Sequence, residues 1–421
     1  MILVQSHRLR LSGNKLIAIF AALFLVSSCA PKLKVLKPEG MGETSSKNEN
    51  SETGNIAENS ENGKTSTAPS RNIALILPFE LDKANKTSIG LNDVKRSSLA
   101  LDFYQGFKIA LDEQAAKGAN FQLNVLDSRD NVNQLSRLAS SSGIQAADLI
   151  VGPVYPKEIS GFAGSTVTGN VLQVSPLAAS KPIQFKNPHL VSLTASIDQH
   201  ISALAFRLIK DHHIDDKLIL VNDTNDDDNQ KFIPPLDSAI QAQSKGLLNP
   251  IILDETSLNE AALQQQGKNV VVSGSANRYS VATLLEKLSA LQGNGFQIQL
   301  FGHPNWSKLD LNDAYLQQLN TRITASYYID VQAENVKAFI HKYTERYQVS
   351  PSEFSYKGYD AGTFFGQLLH KYGKDYPMHL TEESYRGLHN LFKFAYNPNW
   401  GYSNTNIMLL GFSNGQFRPL K

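Results

Sequence analysis

Beyond residue 71 the chain alternates short apolar runs with longer segments whose apolar residues recur at helical spacing, the pattern of a sheet covered by helices on both faces. Its first unit is Ile73-Ala74-Leu75-Ile76-Leu77, an unbroken apolar run stopped at Pro78. Such a run predicts a strand buried on both sides. Leu101, Phe103, Tyr104, Phe107, Ile109, Ala110 and Leu111 then predict a helix ending near Gly118. Strands are expected at 121–126, 148–152 and 171–174, with a helix at 135–139. The alternation starts again at residue 217, with strands at 217–222, 250–253, 269–273 and 297–301. Helices are expected at 232–243, set by Pro234-Pro235, and at 281–291. A strand at 324–329, helices at 336–347 and 359–372, and a strand-like tail at 406–412 complete the pattern. The expected class is α/β, as two doubly wound parallel-sheet lobes joined by a hinge.

The first 71 residues follow different rules. From Pro38 to Arg71 the chain is Ser, Asn, Glu, Gly, Thr and Lys with no aromatic residue, so it buries too little surface to offset the entropy of ordering. A flexible tether with a reach of roughly 30 Å is expected. Ahead of it, His7, Arg8, Arg10 and Lys15 precede an apolar run from Leu16 to Val26 and the small residues Ser27 and Ser28. That order marks 1–28 as a signal peptide, its run shorter than the ~20 residues a permanent span needs. Leu25-Val26-Ser27-Ser28-Cys29 resembles the bacterial lipobox, with Val26 where leucine is usual. The resemblance implies lipidation at Cys29 and a membrane anchor there. A retained anchor helix and an ordinary secretory signal leaving a free thiol are the alternatives. Cys29 is the single cysteine of the chain, so no disulfide or cysteine metal site can form. Ala30, not Asp, follows it, which in bacteria with two membranes implies by resemblance sorting to the outer membrane; a periplasmic face is expected, with the cell exterior the alternative.

Composition narrows the function classes. Lys and Arg total 40 against 39 Asp and Glu in 421 residues, with no basic stripe interleaved with aromatics. No nucleic-acid partner is expected. Nucleophile elbow, Walker loop, complete dinucleotide fingerprint and metalloprotease helix are all missing; Ser273-Gly274-Ser275 and Gly293-Asn294-Gly295 lack the rest of such motifs. A non-enzyme without cofactor is expected. Asp223, Asn225, Asp227 and Asn229 take the odd positions of a calcium loop, but Asp228 stands where glycine is needed and Pro234 where the bidentate acid is needed. A solvated acidic loop is the better reading, and His212-His213 lacks the spacing of a zinc pair.

Several short segments, in order, carry a resemblance: Leu77-Pro78-Phe79, Asp102-Phe103-Tyr104-Gln105-Gly106, Gly152-Pro153, Ser175-Pro176-Leu177-Ala178-Ala179-Ser180, Phe301-Gly302-His303-Pro304-Asn305-Trp306 and Gly358-Tyr359-Asp360-Ala361-Gly362. The chain resembles the type I periplasmic-binding-protein superfamily, in particular its leucine/branched-chain-amino-acid-binding branch; lipoproteins that activate penicillin-binding proteins share that fold. The resemblance implies hinge crossings near Val191, Ile323 and Phe392. The first lobe would then be 72–191 and 323–391, the second 192–322 and 392–421, with ligand between them. It implies a ligand-facing set of Phe79, Tyr104, Tyr155, Ser175 and Ser180 from the first lobe and Asp223, Ser275, His303 and Trp306 from the second. Tyr155 and Trp306 would form aromatic walls. Where the family offers a carboxylate to an amino acid's ammonium, this chain has His303, Asn305 and Trp306, so the amino-acid clamp is incomplete. The expected partner is a small polar ligand, an amino acid or cell-wall fragment, presented to an ABC transporter; the alternative is an envelope protein such as a cell-wall synthase.

Overall fold

The run Arg71–Leu77 forms strand β1, and its alternating side chains part onto two faces. Ile73, Leu75 and Leu77 enter one core, while Ala74 and Ile76 enter another. Each fully buried Ile or Leu of this kind contributes about 1.5–3 kcal/mol. The computed structural model describes residues 69–84, 87–163 and 171–420, which fall in one compact unit. The expected signal peptide, Cys29 and all but the last residues of the expected tether lie outside them.

In the first lobe, β1 is followed by helix α1 (Leu91–Ala115), β2 (Phe121–Asp127), α2 (Val132–Ala139), β3 (Leu149–Val151), α3 (Pro156–Ala163), β4 (Leu172–Ser175) and β5 (Leu190–Ser192). The second lobe carries α4 (Ile197–Asp211), β6 (Lys217–Val221), α5 (Asp227–Ser244), β7 (Ile251–Leu253), β8 (Asn269–Ser273), α6 (Arg278–Gly293), β9 (Ile298–Gly302), α7 (Asp313–Gln318) and β10 (Arg322–Ala325). The chain then returns to the first lobe for α8 (Glu334–Tyr347), α9 (Glu353–Tyr372), β11 (Ser384–Arg386), β12 (Leu391–Asn397) and β13 (Gly401–Asn404). It ends in the second with β14 (Met408–Ser413) and β15 (Gln416–Pro419).

The strand orders are β11-β12-β13-β5-β4-β3-β1-β2 and β15-β14-β10-β9-β8-β6-β7. Both contain the same doubly wound parallel core, so the two-lobed α/β reading holds. Each sheet also gains antiparallel strands on the side away from its first strands, because short turns can join only antiparallel neighbours. The β14–β15 turn is Asn414-Gly415, with φ of 49° and 75°. Two consecutive positive φ values define the hairpin turn that Asn-Gly favours.

Several boundaries move for identifiable reasons. Helix α5 does not start at Pro234-Pro235: the Asp226 carboxylate accepts from the amides of Asp228 and Asn229 and starts it earlier, leaving both prolines inside. The strand expected at 324–329 stops at Ala325, and 326–333 form the second crossing. The third crossing is at 405–407, not near Phe392. The Phe392 ring is fully buried in the first lobe, 5.4 Å from Phe364 and 5.9 Å from Phe394, so that stretch belongs to the first sheet.

Helices α1 and α9 cross at close range over the first sheet. A Cβ on Gly106 would lie 1.9 Å from the Ser355 carbonyl oxygen, and one on Gly358 would lie 2.0 Å from that of Phe103. The two backbones touch where side chains would otherwise hold helices 8–10 Å apart.

Candidate functional site

The three crossings are held together by polar side chains. Asn404, 1% exposed, donates to the carbonyls of Leu193 (3.1 Å) and Leu391 (2.9 Å), tying the first crossing to β12 and β13. Asp360 on α9 is fully buried and accepts the backbone amides of Leu388 (2.8 Å), His389 (3.0 Å) and Asn390 (2.7 Å). Burial lifts its pKa to about 6 while those donors pull it down. The loop so fixed meets the second crossing: the Tyr328 amide donates to the His389 carbonyl at 3.0 Å, and the Tyr327 ring stacks on the His389 imidazole at 4.4 Å. Burial and the Lys357 ammonium hold the His389 pKa well below the usual histidine range, so the stacked ring is neutral.

Beside this hinge lies an inter-lobe cavity of about 540 Å³. The first lobe lines it with Leu177, Ala179 and Lys357; the crossings supply Thr194, Ser326 and Tyr327. The second lobe supplies Lys308, Leu309, Leu311, Leu316, Phe412 and Phe417. Two ammonium groups converge on one ring, with Lys308 Nζ 5.6 Å and Lys357 Nζ 5.4 Å from the Tyr327 centroid. Lys357 is nearly buried and pairs with Glu353 at 2.7 Å. Lys308 is exposed; burial would lower its pKa, but the Tyr327 hydroxyl and the Glu353 charge outweigh it, and the pKa is raised. Lys308 is therefore charged at neutral pH. Asp313, exposed at the start of α7, is the carboxylate among the lining residues.

Of the expected ligand-facing residues, Trp306 borders this cavity and the others do not. Phe79, 7% exposed, belongs to the first core and meets the half-buried Tyr104 ring edge-on at 6.3 Å. Tyr155 is partly exposed but does not border the cavity, so it forms no wall with Trp306. Ser175 is 1% exposed with no partner for its hydroxyl, and the half-buried Ser180 is not a lining residue either. From that loop the cavity receives Leu177 and Ala179 instead.

In the second lobe the four expected residues build the loops themselves. The Asp223 amide donates to Asn229 Oδ1 at 3.0 Å and its carboxylate accepts the Asn225 amide at 2.9 Å, closing the acidic loop on itself. The Ser275 hydroxyl donates to the Asp226 carboxylate, and its carbonyl accepts the Trp306 indole N–H at 2.8 Å. Trp306 borders the cavity, but only 1% of it is exposed. His303 caps the turn Pro304–Lys308 by accepting the Asn305 amide at 3.1 Å, and its ring packs on Phe232 at 5.3 Å. Burial lowers the His303 pKa. Its value in this site is to aim that turn, and with it Lys308.

Lys308, Tyr327 and Lys357 were not legible as a site. Tyr327 lay inside an expected strand, and 30 and 19 residues separate it from Lys357 and Lys308. Among the described residues no group of three His, Cys, Asp or Glu side chains is placed to hold a metal.

This architecture is the type I periplasmic-binding-protein fold, two α/β lobes joined by three chain crossings. Among solved structures, the chain is similar to a putative branched-chain amino acid ABC transporter from Rhodospirillum rubrum, with 14% identity and a TM-score of 0.59 over 84% of this chain and 100% of that one. It is similar also to LpoA of Haemophilus influenzae, with 14% identity and a TM-score of 0.54 over 83% of this chain and 58% of that one. The C-domain of the same protein, a regulator of PBP1A, matches at 13% identity and a TM-score of 0.51 over 83% and 100%. These likenesses show the fold. No family model and no curated protein matches the sequence.

Proposed function

We propose that the chain is a non-catalytic binding protein that holds a small polar solute between its lobes. The observation that carries this is the cavity of about 540 Å³ to which both lobes and the crossings contribute. A solute touching both lobes stabilises a closed arrangement over an open one, which is how hinge closure is driven. The likeness to the Rhodospirillum rubrum transporter component supports delivery to an ABC transporter. No carboxylate stands at positions 303, 305 or 306 to meet an ammonium, which argues against a free α-amino acid.

A thermal-shift panel of amino acids, organic acids, amides and cell-wall peptides tests the reading. A ligand at about 100 times its dissociation constant should add about 2.7 kcal/mol of stability. No shift with any class would overturn solute binding. In the same reading a lipid on Cys29 places the protein at the bacterial envelope, on the outer membrane facing the periplasm. Cys29→Ser should move it from the membrane to the soluble fraction; continued membrane retention would sink the anchor.

A second reading, docking to an envelope protein, draws on the LpoA likeness and on one observation. Leu81, Ile89, Leu91 and Val94, close together in the chain of the first lobe, are 63%, 76%, 81% and 49% exposed. Apolar exposure on this scale marks protein contact more often than solute contact.

A further inference from the structure

The cavity described above is lined by two chemically different sets of side chains. Lys308 and Lys357 converge on the Tyr327 ring, and Leu309, Leu311, Phe412 and Phe417 supply apolar side chains to the same lining. The two ammonium groups at Tyr327 come one from each lobe, and they differ in how well they are satisfied. Lys357 has Glu353 at 2.7 Å. Lys308 has no carboxylate within ion-pair distance among the described residues, and Glu353 reaches it only through the field. The ring between them is a neutral phenol, held in place by the neutral His389 imidazole stacked on it.

Charge and shape together select a ligand class. An anion near Tyr327 would receive Lys308 as a direct counter-ion and share Lys357 with Glu353. A cationic group there would meet two ammonium groups at close range. The second lobe offers it no acid at the turn that carries Lys308, and Asp313 lies exposed at a helix start. The apolar lining of Leu309, Leu311, Leu316, Phe412 and Phe417 favours a ligand with a hydrocarbon body, since those side chains give nothing to a second polar head.

Resting on the solute-binding reading, we propose that the cavity takes a small organic monocarboxylate with an apolar body and no ammonium group. Its head is clamped over Tyr327 by Lys308 of the second lobe and Lys357 of the first. Because the two lysines belong to different lobes, the same anion that is recognised also draws the lobes together. Ligand charge and hinge closure are one event in this site.

The test uses the full chain in titration calorimetry at neutral pH with three probes of one carbon skeleton: 4-methylpentanoate, its amide, and leucine, which adds an ammonium to the carboxylate. Phenylacetate and phenylacetamide repeat the comparison with an aromatic body. Both carboxylates are expected to bind at least about tenfold more tightly than their amides and than leucine, as a charge-assisted contact requires. Lys308→Gln should remove about that factor for carboxylates only, with the melting temperature unchanged because Lys308 is exposed. Lys357→Met repeats the loss from the other lobe, but its burial makes Lys308→Gln the deciding variant. Leucine or an amide binding as tightly as the carboxylates, or carboxylate affinity indifferent to Lys308→Gln, overturns the proposal while solute binding stands. Binding by none of the five probes, together with no response to the wider thermal-shift panel, overturns both.

Discussion

Gly358→Ala is expected to destabilise the first lobe by about 3 kcal/mol, the upper range for forcing a methyl group into packed surroundings. The new Cβ would lie 2.0 Å from the Phe103 carbonyl oxygen and 3.0 Å from the Phe107 amide nitrogen, both backbone atoms of α1. No rotamer change can relieve a clash with backbone, so α9 would have to move off α1. Gly293→Ala is the matched control. Gly293 is likewise helical, the last residue of α6, but nothing lies within 4 Å of its Cβ position, and the substitution should be neutral or stabilising by up to about 1 kcal/mol. Chemical denaturation of the two variants reads the difference directly. Similar losses in both would show that the α1–α9 contact is looser than the geometry states.

Asp360→Ala should cost about 4 kcal/mol, because it removes the shared acceptor of three backbone amides and leaves them buried. Asp360→Asn keeps one of the two acceptor oxygens and should lose less. The substitution also reaches the site. The 387–390 loop carries the carbonyl that holds Tyr328 and the imidazole that stacks on Tyr327, so freeing it loosens the ring beneath both lysines. Ligand affinity should therefore fall in Asp360→Asn even where the lobe remains folded. Urea unfolding and ligand titration on the same preparation separate the two effects; a stability loss with affinity intact would detach Asp360 from the hinge. The same contacts explain why Gly387 stands in that loop: a Cβ there would fall 2.2 Å from Asp360 Oδ1.

The placing of each aimed loop follows from such local contacts. The Pro304–Lys308 turn shows it in the second lobe, with His303 at its start and Trp306 anchored to Ser275 behind it. A Cβ on Gly302 would meet the Trp306 ring at 2.2 Å, so the indole lies directly on that glycine and the turn it closes has little freedom. Residues with the marks of ligand contacts in the sequence are thus the supports of a residue that had none.

Local chemistry made much of the fold readable. Ile73 to Leu77 was expected as a strand because an apolar run with no polar face can rest only inside a covered sheet, and Asn269 to Ser273 around its Val270-Val271-Val272 centre; both are strands. The Gly358-Tyr359-Asp360-Ala361-Gly362 segment was readable as a mark of the class, and the structure supplies its reason: two glycines for a close crossing and a carboxylate for a loop. The Asn414-Gly415 turn was equally local, though its hairpin was not anticipated. The tertiary structure alone decided the sheet membership of Phe392, which a short half-exposed strand cannot announce, and the site itself. Lys308, Tyr327 and Lys357 share no period, motif or neighbourhood in the chain. They meet because three crossings bring the ends of two sheets to one hinge, and a contact made by topology leaves no pattern in the residues between.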